Sequence, residues 1–231
     1  NMKRIIFVLL VALSAKSFAE TSMPAMATQF GLIAKDPAKV VEAWDKYINS
    51  DCKVLDYAGG VTLTSHLFNG KSPWTHSIGL FYPTYEAWES LVKELSQCNG
   101  IQELRSALRE HAEPATQVIT KPIYIGGAEG PHPVSMNYEI VLTNEKAYIE
   151  AWKQLMESEM EGVSYPAHRI VFGADKTVTH ILNIGAPSYG KLMEAVDSIQ
   201  ETPAMAKFSK MANQWRSVTS ISMGTTVRSW Q

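Results

Sequence analysis

The side chains able to exchange a proton near neutral pH are six histidines, and the chain carries 23 carboxylate residues with which they could act. A carboxylate beside a neutral imidazole can serve as a general base, so Glu139 and His168 are the candidate catalytic pair, suited to removing a proton from an activated aromatic substrate. A wider set would line a ligand site: His66, Asn137, Asn183, Glu139 and His168 as hydrogen-bonding groups, with Phe68, Phe81 and Phe172 as apolar ones. The competing reading is that these polar groups bond one another or water across a sheet interface. No motif H-E-x-x-H, C-x-x-C, C-x-x-C-H or G-x-S-x-G is present, nor a phosphate-binding glycine loop. The histidine spacing offers no local zinc site, so no metal is expected.

For those residues to meet, short strands must carry them to one surface, and an internal repeat shows how. THSIGLFYPTYEAW, from Thr75, returns as THILNIGAPSYGKL, from Thr179, and VEAW, Val41 to Trp44, returns as IEAW, Ile149 to Trp152. Each half predicts β-α-β-β-α-β with an extra helical turn before its final strand. In the first half the pieces are a strand at Gln29–Ala34, a helix begun by Asp36 and Pro37, strands at Val61–Phe68 and from Thr75, a helix capped by Thr84, a short helix to about His111 and a strand at Thr116–Ile123. Their counterparts are a strand at Asn137–Leu142, a helix through Trp152, strands at Tyr165–Phe172 and from Thr179, a helix capped by Ser188, a helix at Ala204–Arg216 and a strand at Val218–Val227. The two copies are 108 residues apart at EAW but 104 at Thr-His, which puts a four-residue insertion of the first half near Asp56–Gly60. The expected organisation is a signal segment over 1–19, a first repeat over 24–125, a turn-rich linker over 126–135 and a second repeat over 136–231.

Alternate strand residues face opposite ways, which assigns the candidate site to one side. Tyr138, Ile140 and Leu142 should cover helices and leave Asn137, Glu139 and Val141 inward; His180, Leu182 and Ile184 leave Thr179, Ile181 and Asn183 inward. In the first copy Trp74, His76, Ile78, Leu80 and Tyr82 fall on the helix side, with Thr75, Ser77, Gly79 and Phe81 inward. The second strand of each repeat leaves both faces open; if Leu63 and Leu67 cover the helices, Thr62, Thr64, His66 and Phe68 face in, as do His168, Ile170 and Phe172. That parity sends Arg169 toward the helices, an awkward place for a guanidinium unless it reaches out to solvent. The repeated His76 and His180 read as architecture, because duplication alone repeats them. His111 and His132 are expected in solvent.

A β-α-β-β-α-β unit covers one face of an antiparallel sheet and leaves the other bare, and a duplicated chain carries its own partner for that face. On this plan and repeat, covering almost the whole chain after residue 19, the sequence resembles the dimeric α/β-barrel superfamily in a tandem, single-chain form. The fold class implied is α+β, two ferredoxin-like repeats whose antiparallel sheets pack into one α/β barrel. The superfamily includes antibiotic-biosynthesis-type monooxygenases, haem-degrading enzymes, chlorite dismutases, dye-decolorising peroxidases and stress-responsive barrel proteins. The resemblance implies that haem is one possible cofactor, held by an axial histidine, but no motif selects it.

Lys3 and Arg4 precede the apolar run Ile5–Leu13, and Ser17-Phe18-Ala19 supplies small residues for cleavage, the pattern of a secretory signal. The run is shorter than the roughly 20 residues that span a bilayer. Without residues 1–19 the formal charge of −2 becomes −5, because Lys3, Arg4 and Lys16 leave with no acid. A mildly acidic, exported chain is a poor nucleic-acid partner. Cys52 and Cys98, the only cysteines, then read as one disulfide in an oxidising compartment, with two buried free thiols as the alternative. The expectations are a periplasmic or secreted protein, free of the membrane after cleavage, that binds a small and partly apolar molecule between its sheets. The alternatives are a cofactor-free monooxygenase-like or haem-dependent enzyme and an interaction protein without a pocket. Further association into a homo-oligomer is compatible with each.

Overall fold

Cap residues and apolar periodicity set the helices one by one. The Asp36 side chain accepts the Lys39 N–H at 3.2 Å to start α1 (Pro37–Ile48), and Thr84 accepts that of Ala87 at 3.1 Å to start α3 (Tyr85–Glu94). Asn144 begins α5 (Glu145–Glu159), Ser188 begins α6 (Tyr189–Gln200), and Thr202 with Pro203 begins α7 (Pro203–Ala212) in the same way. The remaining helices are α2 (Val54–Tyr57) and α4 (Gly100–His111). Between them run β1 (Met26–Ala34), β2 (Gly60–Phe68), β3 (His76–Tyr82) and β4 (Ala112–Tyr124), then β5 (Val134–Leu142), β6 (Ala167–Phe172), β7 (His180–Ala186) and β8 (Arg216–Trp230). These elements belong to a computed structural model that describes residues 23–130, 132–173 and 177–231. The expected signal segment lies outside the described residues, as do Ala174 and Asp175 of the turn after β6.

Several bounds differ from the sequence expectation. Helix α2 overlaps the segment expected to hold the four-residue insertion at Asp56 and Tyr57, and that segment's last residue, Gly60, already opens β2. The helix expected over Ala204–Arg216 stops at Ala212, and Arg216 already belongs to a fifteen-residue strand. Strand β4 starts at Ala112, immediately after α4, and β5 begins at Val134, inside the expected linker.

The strands close into one antiparallel barrel in the order β1-β3-β2-β8-β5-β7-β6-β4. Each half supplies four consecutive strands, β4-β1-β3-β2 and β8-β5-β7-β6, and the seams are β2 with β8 and β4 with β6. The seams are made within one chain, so no second copy is needed to close the barrel. Two hydrophobic cores lie outside it, between each sheet and its helices. One is built on Trp44, Tyr47, Leu63 and Ile78, the other on Tyr148, Trp152, Ile140 and Leu182. Each such side chain fully removed from water stabilises the fold by about 1.5–3 kcal/mol.

Both β2 and β6 run toward the same end of the barrel, and a glycine just beyond each, Gly70 and Gly173, lies against the last strand of the opposite half. Gly70, at φ +58°, has no room for a Cβ against the Ile221 carbonyl of β8, and Gly173, at φ +94°, has none against Gln117 of β4. A left-handed backbone with another backbone segment this close admits only glycine. Gly70→Ala should therefore destabilise the protein by about 1–3 kcal/mol, read as a lower urea midpoint; an unchanged midpoint would mean that the loop is not seated on β8.

Candidate functional site

Inside the barrel lies a cavity of about 460 Å³ to which all eight strands contribute. That size is typical of small-molecule sites. From the second half come Asn137 and Glu139 on β5, His168 and Ile170 on β6, and Ile181 and Asn183 on β7. From the first come Gln29 and Gly31 on β1, Thr64 and His66 on β2, and Ser77, Gly79 and Phe81 on β3. Strand alternation explains the selection: the neighbours Tyr138, Ile140, Leu182 and Ile184 point outward into the second core.

Six of the eight ligand-site candidates line this cavity: His66, Phe81, Asn137, Glu139, His168 and Asn183. Phe68 and Phe172 do not. They are 66% and 73% exposed, because each is the last residue of its strand, past the end of the cavity. Trp74, placed with the helices by parity, instead lines the cavity; it precedes β3 in the hairpin loop, where alternation does not operate. His132 also lines it rather than standing in solvent, with Nε2 bonded to the Ala128 carbonyl at 2.9 Å.

The polar groups form distinct sets. The Asn183 side-chain N–H donates to the Asn137 carbonyl oxygen at 2.7 Å across β7 and β5. Ser72 donates to the Glu139 carboxylate at 3.3 Å and lies 3.3 Å from the Ser220 hydroxyl, which accepts the Lys71 N–H at 3.1 Å. His66 Nε2 bonds the Ser77 hydroxyl at 2.8 Å. The Nδ1 atoms of His66, His132 and His168 are buried with no partner among the described residues. Burial, with a small push from His76, lowers the pKa of His66 to about 4, and burial alone lowers that of His168 to about 4. Both imidazoles are therefore neutral at physiological pH and present one donor and one acceptor each.

The Thr-His pairs lie outside this site and serve the sheet. Thr75 Oγ1 accepts the Ala34 N–H at 2.9 Å and Thr179 Oγ1 that of Leu142 at 2.9 Å, extending the ladders of β1 and β5. The same oxygens bond Nδ1 of His76 at 2.9 Å and of His180 at 2.7 Å. His180 Nε2 reaches Glu145 at 2.7 Å, and Arg169 grips that carboxylate with two hydrogen bonds at 2.5 and 2.6 Å. Burial works against ionisation of Glu145, but the Arg169 and His180 hydrogen bonds outweigh it and hold the carboxyl below its usual range. Arg169 thus does face the helix side, where the first residue of α5 neutralises it.

Sequence reasoning missed Lys71, Ser72, Trp74 and Ser220. Ser220 could have been found by carrying the repeat onto the last strand, since it pairs with Glu139 as Thr116 pairs with Gly31. The loop residues carry no such signal.

No described protein family and no curated protein matches the chain by sequence. Solved structures do match in shape. A candidate monooxygenase from Fusobacterium nucleatum superposes with a TM-score of 0.59 at 12% identity, over 90% of this chain and 94% of its own. A variant of the chlorite dismutase from Candidatus Nitrospira defluvii gives 0.53 at 11%, over 90% and 93%. An anthrone oxidase-like protein gives 0.53 at 10%, over 89% and 93%. The chain has the dimeric α/β-barrel fold, with both halves supplied by one polypeptide.

Proposed function

We propose that this chain is an exported barrel protein that takes a small, partly apolar molecule between its two sheets. The observation that carries the reading is the cavity itself, about 460 Å³ walled by hydrogen-bonding side chains from both halves. Buried polar groups are costly without partners, and a ligand bearing hydroxyl or carbonyl groups would satisfy those the protein leaves open. Such a space speaks against an interaction protein with a filled barrel. Export is supported by the leader-like residues 1–19 and by a disulfide between Cys52 and Cys98. Among the described residues no helix is long and apolar enough to cross a membrane. Calorimetric titration with 1-naphthol should show saturable binding, weakened about tenfold or more when the amide pair is removed in Asn183→Leu. Heat signals no larger than dilution would end the reading.

A second reading is favoured by one group, the Glu139 carboxylate in the cavity wall. With molecular oxygen as oxidant, it would remove the activated ring proton of an anthrone-type substrate, and the products would be the quinone and water. Glu139→Gln should lower oxygen consumption with anthrone by about a hundredfold; equal rates in both proteins would remove Glu139 from the reaction. Haem is not supported by the residues around the cavity. His168 offers a buried Nδ1, but two propionates would meet a single ammonium among the described lining residues, Lys71, opposed by the Glu139 carboxylate and by hydroxyl-rich walls.

A further inference from the structure

The two halves of the barrel line the cavity unequally, and the registers match their positions residue by residue. Gln29 pairs with Gly79 as Asn137 pairs with Asn183, and Gly31 pairs with Ser77 as Glu139 pairs with Ile181. Gly31 and Gly79 of the first half thus correspond to Glu139 and Asn183 of the second. Trp74 and Val178 each precede a Thr-His pair, and Phe81 corresponds to Gly185 by the same 104-residue offset.

The first half fills its share with two aromatic side chains laid over two glycines. A Cβ on Gly31 would come within 3.0 Å of the Trp74 ring and 2.7 Å of Thr116, and one on Gly79 within 3.3 Å of the Phe81 ring. In the second half both glycines are polar side chains and both aromatics are small residues, Val178 and Gly185, with His132 packed beside Gly185. Duplication of one unit produces two equivalent hollows; substitution has filled one and furnished the other with an amide pair, a carboxylate and the His168 imidazole.

We infer that the barrel contains two pseudo-equivalent ligand subsites, that Trp74 fills the first, and that a single ligand is held at the second, between Asn137, Asn183 and Val178. This rests on the reading of the barrel as a small-molecule binder. The ligand places its apolar face against the Trp74 and Phe81 side of the cavity and its hydroxyl or carbonyl groups against the second half. Trp74 is then the residue that sets both stoichiometry and the length of molecule admitted.

The test is titration calorimetry with 1-naphthol, paired with a crystal structure of the Trp74→Val variant. Wild type should bind one molecule per chain, and Trp74→Val two, with new space beside Gly31. Val178→Trp, which reproduces the first half's plug over Glu139, should weaken the wild-type site by about tenfold or more. Unchanged stoichiometry in Trp74→Val, or unchanged affinity in Val178→Trp, overturns the inference while leaving the barrel a binder. Binding by no variant and not by wild type overturns both. A folded Val178→Trp protein keeps the inference testable if Trp74→Val does not fold.

Discussion

Between pH 6.5 and pH 4 the protein should lose roughly 6 kcal/mol of unfolding free energy through His66 and His168. Both have folded-state pKa values of about 4 against an ordinary value of 6.5. Each stays neutral in the folded protein over a range in which the unfolded chain takes up its proton. Acidification therefore favours unfolding from pH 6.5 downward, by about 3 kcal/mol per histidine at 1.36 kcal/mol per unit, and the effect levels off below pH 4 as the folded state takes up the same protons. Burial lowers His76 and His180 as well, so they act with the same sign. Paired carboxylates such as Glu145 and Asp45 are also held low, so their stabilisation fades only as the pH drops below the ordinary carboxylate range. The upper part of the window, above pH 5, belongs to the histidines.

Urea midpoints at pH 7.5, 5.5 and 4.5 would measure this directly, and His66→Gln with His168→Gln should flatten the profile above pH 5 whatever it does to the absolute stability. A double variant with the wild-type slope would show that other groups carry the acid sensitivity. The same neutrality bears on the cavity: a ligand meets the uncharged His66 and His168 imidazoles throughout the physiological range, so its affinity should not follow protonation of these two until the fold itself weakens.

Much of this arrangement was legible in the chain because its cause is local. Strand alternation with period two assigned Ser77, Gly79, Phe81, Ile181 and Asn183 inward, and their neighbours cover the helices. The mismatch between the 108- and 104-residue offsets pointed to the connection between α1 and β2, where α2 lies. What stayed hidden depends on where strands end relative to one another. Phe68 has inward parity, but β2 pairs with β8 only as far as Met223, while β8 continues on to Arg216. The stagger of the barrel decides that Phe68 leaves the cavity, and no single strand records it. Trp74 and Ser72 enter because Gly70 seats the hairpin loop on β8, a contact between segments some 150 residues apart. Arg169 conflicted with its parity only until Glu145, from another element, was beside it.

Breaking the bridge between Cys52 and Cys98 should cost about 4 kcal/mol, as expected for a link closing a 46-residue separation on the chain-entropy model. Both sulfurs are buried, and the bridge joins the loop after α1 to the start of α4. The same loop caps that helix. Asn99 makes no side-chain cap of its own; the Asp51 carboxylate instead accepts the Asn99 and Gly100 N–H groups, each at 3.0 Å. These two bonds hold the Asp51 carboxyl below its ordinary range. Close approach is part of the design, since a Cβ on Gly100 would press on Ser50 and come within 3.1 Å of the Cys52 sulfur. Losing the bridge therefore loosens a cap as well as lengthening the unfolded chain's reach. The melting temperature of Cys52→Ala with Cys98→Ala should fall by roughly 10 °C, the shift that this free energy implies for a chain of this length. Dithiothreitol should lower the wild type by a similar amount and leave the double variant unchanged. If the native protein alkylates at two thiols without reduction, or reduction leaves the melting temperature where it was, the bridge contributes nothing to folding and the Asp51 cap alone joins the two segments.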